Sequence, residues 1–195
     1  MQLIQWFGTI GGRSRNGWGS LLLEGSELDG LEMLNQSTTL LKRLAKPLEK
    51  CLDLDWPHAF GKDDKGLLIW KSNKPHNTWR EAMVELAKIK IAFRTALHFD
   101  PARPHRIDQR HLLAYPVTHH NFNPWGNQFR LANQLRFKVT KTTEGYIGLA
   151  YHLPCGIPNE LLNVLGAKDR AWIIEQQLDV WRSVHGILDQ QMQRI

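Results

Sequence analysis

The sequence predicts an α+β fold, and three segments carry that prediction. The first is a run of alternating residues from Gln134 to Leu153 that reads as a hairpin. The other two are amphipathic helical stretches, one opening near Thr78 and one running from about Asp169 to Gln193. Strand and helix patterns without strict β-α alternation point to the α+β class.

Taken in chain order, Leu3, Ile4, Trp6 and Phe7 look like the end of an apolar helix, with a glycine-rich run directly behind them. From about Glu27 to Asp53, Leu31, Leu34, Leu41, Leu44 and Leu48 recur at helical spacing, with Gly30 and Pro47 as breakers. Leu67 to Lys71 is a short strand candidate. Thr78 and Glu81 then stand at capping-box spacing. Behind them Trp79, Met83, Leu86, Ile89, Phe93 and Leu97 form one apolar stripe. Lys88, Lys90 and Arg94 fall off it, as a solvated face or one turned to an anionic partner would.

Between Asp100 and Asn133 regularity fades; only Leu112 to Thr118 reads as a strand. In the hairpin, Leu135, Phe137 and Val139 face one way and Arg136, Lys138 and Thr140 the other. Its turn is Thr142–Gly145, and Ile147, Leu149 and Tyr151 share a face of the second strand. The last helix presents Ile174, Leu178, Trp181, Val184 and Leu188 as its stripe.

Composition narrows the function. The chain has 195 residues, 42% hydrophobic, with a formal net charge of +6. That balance suits either an anionic partner, nucleic acid being the commonest, or simply a basic surface. Its two cysteines, Cys51 and Cys155, make neither a disulfide framework nor a CxxC zinc pair. No apolar run reaches the ~20 residues of a membrane span, and Met1 to Gln5 lack a signal peptide's basic and apolar regions. The expected compartment is the cytoplasm. Of eight tryptophans, Trp56, Trp70, Trp79, Trp125, Trp172 and Trp181 fall in separate predicted elements, as core or interface anchors would, with base stacking by one or two of them as the alternative.

The run Gly8-Thr9-Ile10-Gly11-Gly12-Arg13-Ser14-Arg15-Asn16-Gly17-Trp18-Gly19-Ser20 carries the functional inference. Glycine permits positive φ and close approach of another chain, and successive N–H groups can form an anion nest. Arg13 and Arg15 add forked donors for phosphate, and Trp18 offers a face for a base. A nucleotide P-loop would end in lysine and Ser/Thr, which are missing. A Rossmann turn would need a strand before it and an acid about 20 residues later; Glu27 and Asp29 are nearby, but the preceding segment is short. The alternative is a purely structural glycine turn.

The run G-x-x-G-G-R-S-R-x-G-aromatic-G-S-L resembles the glycine-rich loop of the RAMP superfamily of CRISPR proteins, above all the two-repeat subunit at the head of Cmr (type III-B) complexes. Arg110 to His120 is similar to a family stretch ending in a proline-containing strand. Arg130-Leu131-Ala132-Asn133-Gln134-Leu135-Arg136-Phe137 is similar to the family's R-x-A-S-P-L stretch. Asn133 and Gln134 replace its serine and proline, Trp18 a commoner phenylalanine and Asn16 an arginine.

The resemblance implies two ferredoxin-like, RRM-type repeats, of which this chain corresponds to the C-terminal half. Residues 1–60 would complete a first repeat with loop and helices, and residues 61–195 would form the second. Another chain would supply the missing N-terminal half, since Leu3, Ile4, Trp6 and Phe7 would otherwise be a sticky surface. The implied function is non-catalytic binding of guide crRNA, near its 3′ end, and of target RNA, among other effector subunits and without a cofactor.

The candidate RNA-binding set is Gly11, Gly12, Arg13, Ser14, Arg15, Gly17, Trp18 and Gly19, followed by a second strip of Arg103, Arg106, Arg110, Arg130, Arg136 and Lys138. The alternative is a metal-independent crRNA-processing endoribonuclease using His119 or His120 as general acid or base. His119 and His120 would point to opposite faces of a strand and so not share a metal ion. His105 and His111 read as parts of the arginine-rich loop.

Overall fold

The computed structural model describes residues 2–22, 35, 38–103, 105–117 and 122–195. Helix α1 (Gln2–Phe7) leads into the glycine-rich loop. After α2 (Thr38–Arg43), strand β1 (Ala45–Pro47) pairs in parallel with β2 (Phe60–Asp63), which turns back on β3 (Gly66–Leu67). Pro47 does delimit a helix, as the residue before the short α3 (Leu48–Cys51). Of the helical stretch expected over Glu27–Asp53, α2 and α3 are helical, β1 is a strand instead, and residues 27–34, 36 and 37 lie outside the described residues.

The main unit begins at β4 (Ile69–Lys71) and continues through α4 (Trp79–Ala96), β5 (Leu135–Thr142), β6 (Gly145–His152), α7 (Ala167–Gln191) and β7 (Gln193–Arg194). The strands stand in the order β5-β6-β4-β7, and every neighbouring pair is antiparallel. This β-α-β-β-α-β order is compatible with a ferredoxin-like, split-βαβ arrangement. The chain is therefore α+β.

Local chemistry explains the helices. The Thr78 hydroxyl accepts from Glu81 N at 3.2 Å while the Glu81 carboxylate accepts from Thr78 N at 3.3 Å, a complete capping box. Leu86, Ile89, Phe93 and Leu97 of the expected stripe are buried; Trp79 and Met83 pack at its margin. On α7 the buried stripe uses Ile173, Val180, Trp181, Val184 and Leu188. Ile174 is exposed, so the expected stripe is one residue out at its start.

The stretch expected as a strand over Leu112–Thr118 instead opens with α5 (Gln109–Leu113). Asp108 precedes it, and Asp108 N donates to His111 Nδ1 at 2.9 Å. Leu112, Leu113, Tyr115 and Val117 are all buried, an apolar density that a helical turn meeting an extended segment supplies as readily as a strand. Between α5 and the hairpin, Trp125 is fully buried, and α6 (Asn159–Asn163) accepts its indole N–H at the Leu161 carbonyl, 2.9 Å away.

Both faces of the sheet are covered. Helices α4 and α7 bury Trp70, Leu135, Phe137, Val139 and Ala150. On the opposite face, Trp6, Phe7 and Leu41 join Leu67, Ile69, Ile147, Leu149 and Tyr151 in a second core. The expectation that Leu3, Ile4, Trp6 and Phe7 form one sticky surface therefore divides: Trp6 and Phe7 are buried within this chain, and Leu3 and Ile4 are exposed. Tyr151 fixes the packing by donating its phenol to the Phe7 carbonyl at 2.9 Å.

Candidate nucleic-acid interface

The glycine-rich loop is a closed structure. Thr9 and Ser20 pair across its neck, Ile10 N donates to Gly19 O at 2.9 Å and Leu21 N to Gly8 O at 3.0 Å. Within it, Ser14 N donates to Gly11 O, Asn16 N to Arg13 O and Gly17 N to Ser14 O, at 3.0–3.1 Å. Gly11, Gly17 and Gly19 have φ of 101°, 88° and 69°, the left-handed region that disfavours side chains. A Cβ on Gly19 would stand 2.0 Å from the Ile10 carbonyl oxygen. Gly12 differs: its φ is not positive, and a Cβ there would meet open space.

The loop is fastened along the outer edge of β5. Asn16 pairs in parallel with Phe137, Phe137 N donates to Arg15 O at 3.0 Å, and Val139 N donates to the Ser20 hydroxyl at 2.9 Å. An edge strand left with free N–H groups would invite another strand; here the loop occupies those groups. The loop's own geometry therefore accounts for glycine at positions 17 and 19. What it leaves unexplained is the pair of arginines that the turns present to solvent, Arg13 and Arg15.

Beneath the loop, the sheet corrects the expectation for Lys138. Its side chain, expected at the RNA face, is wholly buried. The ammonium donates to the Gln5 carbonyl at 2.6 Å, Leu21 at 2.7 Å, Gly8 at 3.1 Å and Ile4 at 3.4 Å. A short helix leaves its last carbonyls unpaired, and a cation at that end satisfies them with favourable dipole sign. Strand alternation assigned Lys138 and Thr140 to the outside because it could not register that α1 and the loop cover this face. Burial pushes the Lys138 pKa down to about 8.

Beside the loop, α4 supplies cations. Lys90 Nζ donates to Asn16 Oδ1 at 2.6 Å, joining helix and loop. The ammonium is held below its ordinary pKa by burial and then by Arg94; the Arg110 guanidinium is lowered in the same way, by burial and then Arg94. Among the described residues none of Lys90, Arg94 and Arg110 has a carboxylate within ion-pair distance. Arg110 also donates to Leu97 O at 3.3 Å and lies 5.0 Å from the Phe99 ring centroid. Like charges gathered without compensation cost stability unless an anion arrives.

The remaining strip does not behave as one surface. Arg103 pairs with Asp100 at 3.0 Å, and Arg106 stands 3.9 Å from the buried carboxylate of Asp108, which also faces His98 at 3.3 Å. Arg130 donates to the Asn127 and Phe129 carbonyls. Arg136 is half-buried, its Nε without a partner. His111, expected in an RNA-contacting loop, is fully buried among Phe99, Tyr115 and Phe122. His105 pairs with Asn123 at 2.8 Å. His119 and His120 lie outside the described residues. Among the described residues no group of three or more His, Cys, Asp or Glu is placed to hold a metal ion, and no helix is long and apolar enough to cross a membrane.

Asn16 is outside the candidate set, and the sequence marks Lys90 and Arg94 only as a solvated face or one turned to an anionic partner. The fold is what brings Lys90 against the loop, at Asn16. No protein-family model matches the chain, and no curated protein or solved structure matches it either.

Proposed function

We propose that this chain binds single-stranded RNA, without catalysis, as a RAMP-type subunit of a type III CRISPR ribonucleoprotein, holding guide crRNA near its 3′ end, target RNA, or both. One observation carries the reading: exposed Arg13 and Arg15 stand on a loop clasped to α4 by Lys90, where Lys90, Arg94 and Arg110 lack carboxylate partners. Phosphates are the natural counter-charge. The α+β topology supports the same reading, since RRM-type domains share the split-βαβ order. The usual RRM mode, with bases stacked on the open sheet, does not suit this chain, because α1 and the loop cover that face. Contact through the loop and the β5 edge is the mode that remains. Partner chains of the same assembly belong to this proposal.

The test is a salt titration of affinity for an unstructured RNA oligomer. Loss of two phosphate contacts in Arg13→Ala/Arg15→Ala lowers the slope of log affinity against log salt by about 1.4, at roughly 0.7 per contact for single strands. An unchanged slope overturns the assignment of the loop.

A further inference from the structure

Resting on that reading, we infer that the loop and α4 together form a pocket for one unpaired nucleobase, walled by Trp18 and Trp79, so that the protein grips a base as well as the backbone. The two indoles meet edge to face, with centroids 5.2 Å apart. Behind them Met83 and Phe137 close an apolar cleft of about 390 Å³, and Lys90 and Arg80 stand at its lining, a size suited to a small planar group. Trp18 is 48% exposed although Trp79 packs partly into the core. An exposed indole held against a second one is a ready stacking platform, and stacking tolerates any base because every base has a π-face.

The occupant is chosen by charge. A peptide side chain could fill an apolar cleft, but Lys90 beside it, close to Arg94, favours a group that carries a phosphate. Asn16, whose carboxamide oxygen already accepts from Lys90, has an amide N–H₂ left for a base edge. Gly17 is part of the same construction: a Cβ there would stand 3.1 Å from Met83 Sδ, pressing on the floor of the cleft.

The experiment uses the full chain, a fluorescein-labelled 12-nucleotide unstructured RNA and the same ribose-phosphate backbone made abasic throughout. Wild type should bind the RNA at least about tenfold more tightly than the abasic strand, the loss expected for one stacked base. Trp18→Ala should erase most of that difference and leave the salt slope unchanged, and Trp18→Phe should restore much of it. Equal binding of both strands by wild type overturns the pocket while leaving the phosphate reading standing. RNA binding that Trp18→Ala does not alter also overturns the pocket, leaving the cleft to a protein partner. Absence of RNA binding by wild type at low salt overturns both.

Discussion

Lys138 Nζ lies 2.6 Å from the carbonyl oxygen of Gln5, so the edge strand β5 holds the end of α1 through a buried charge. The same ammonium reaches Gly8 and Leu21, the two ends of the glycine-rich loop. A single side chain thereby ties helix, loop and sheet together. The arginines are presented from a fixed base, so the phosphate site proposed above would be organised before RNA arrives.

This gives Lys138 a structural signature that an RNA contact would not have. Lys138→Met removes the buried donor shared by the Gln5 and Leu21 carbonyls, its two shortest contacts, a loss of about 3 kcal/mol in unfolding free energy. The salt slope of RNA binding by the folded variant should stay that of wild type. Urea denaturation and the titration together separate the roles; a reduced slope with unchanged stability would return Lys138 to the RNA face.

The difference between the two arginines and this lysine shows where sequence reading holds. The capping box at Thr78, the hairpin and the stripe of α4 follow from local patterns, and the structure agrees with them. The place of Lys138 depends on a helix more than 130 residues away in the chain, and the place of Lys90 on a loop 74 residues away. Strand alternation cannot say which face is covered when both are. Arg103 and Arg106 were grouped with Arg110 by proximity in sequence, yet Asp100 and Asp108 attend to the first two, while Arg110 stands with Arg94.

The glycines divide into those that shape the loop and Gly12, where an added Cβ meets no neighbour. Gly19→Ala forces a Cβ toward the Ile10 carbonyl at a φ of 69°, and costs about 2 kcal/mol or more in stability. Gly12→Ala meets no neighbour and should melt with wild type. If RNA backbone approaches there, Gly12→Ala weakens RNA binding severalfold without a shift in melting temperature. Thermal unfolding beside fluorescence anisotropy reads both, and unaltered affinity in Gly12→Ala removes Gly12 from the interface.

Burial first, and then the charge of Arg94, holds both Lys90 and Arg110 below their ordinary pKa. Relief of that repulsion in Arg94→Gln should hold or raise the melting temperature while lowering RNA affinity severalfold at low salt. Such opposed effects mark a residue kept for binding at the expense of stability. A variant that loses stability and keeps its affinity would show Arg94 to be a packing residue.

A pair of buried rings in the main core makes the fold sensitive to acid. His152 Nδ1 and His185 Nε2 lie 3.0 Å apart, both buried, with Trp181 against His152 at 4.1 Å and Trp70 against His185 at 5.4 Å. Burial, and then its neighbour His185, holds His152 well below the ordinary histidine range. His185 is pushed down to about 4, first by burial and then by Arg194, with Asp63 and Asp189 opposing. Both rings are therefore neutral in the folded chain, one donating and the other accepting. In the unfolded chain each takes a proton near pH 6.5. The unfolded state binds more protons below that pH, so stability is fully present above about 6.5 and declines toward pH 4, by up to about 1.4 kcal/mol per pH unit for each ring. Urea midpoints at pH 7.5 and pH 5 should differ accordingly, and the paired replacement His152→Phe/His185→Phe should flatten the dependence across this window. Identical pH dependence in wild type and the double variant would show that the acid response comes from other groups.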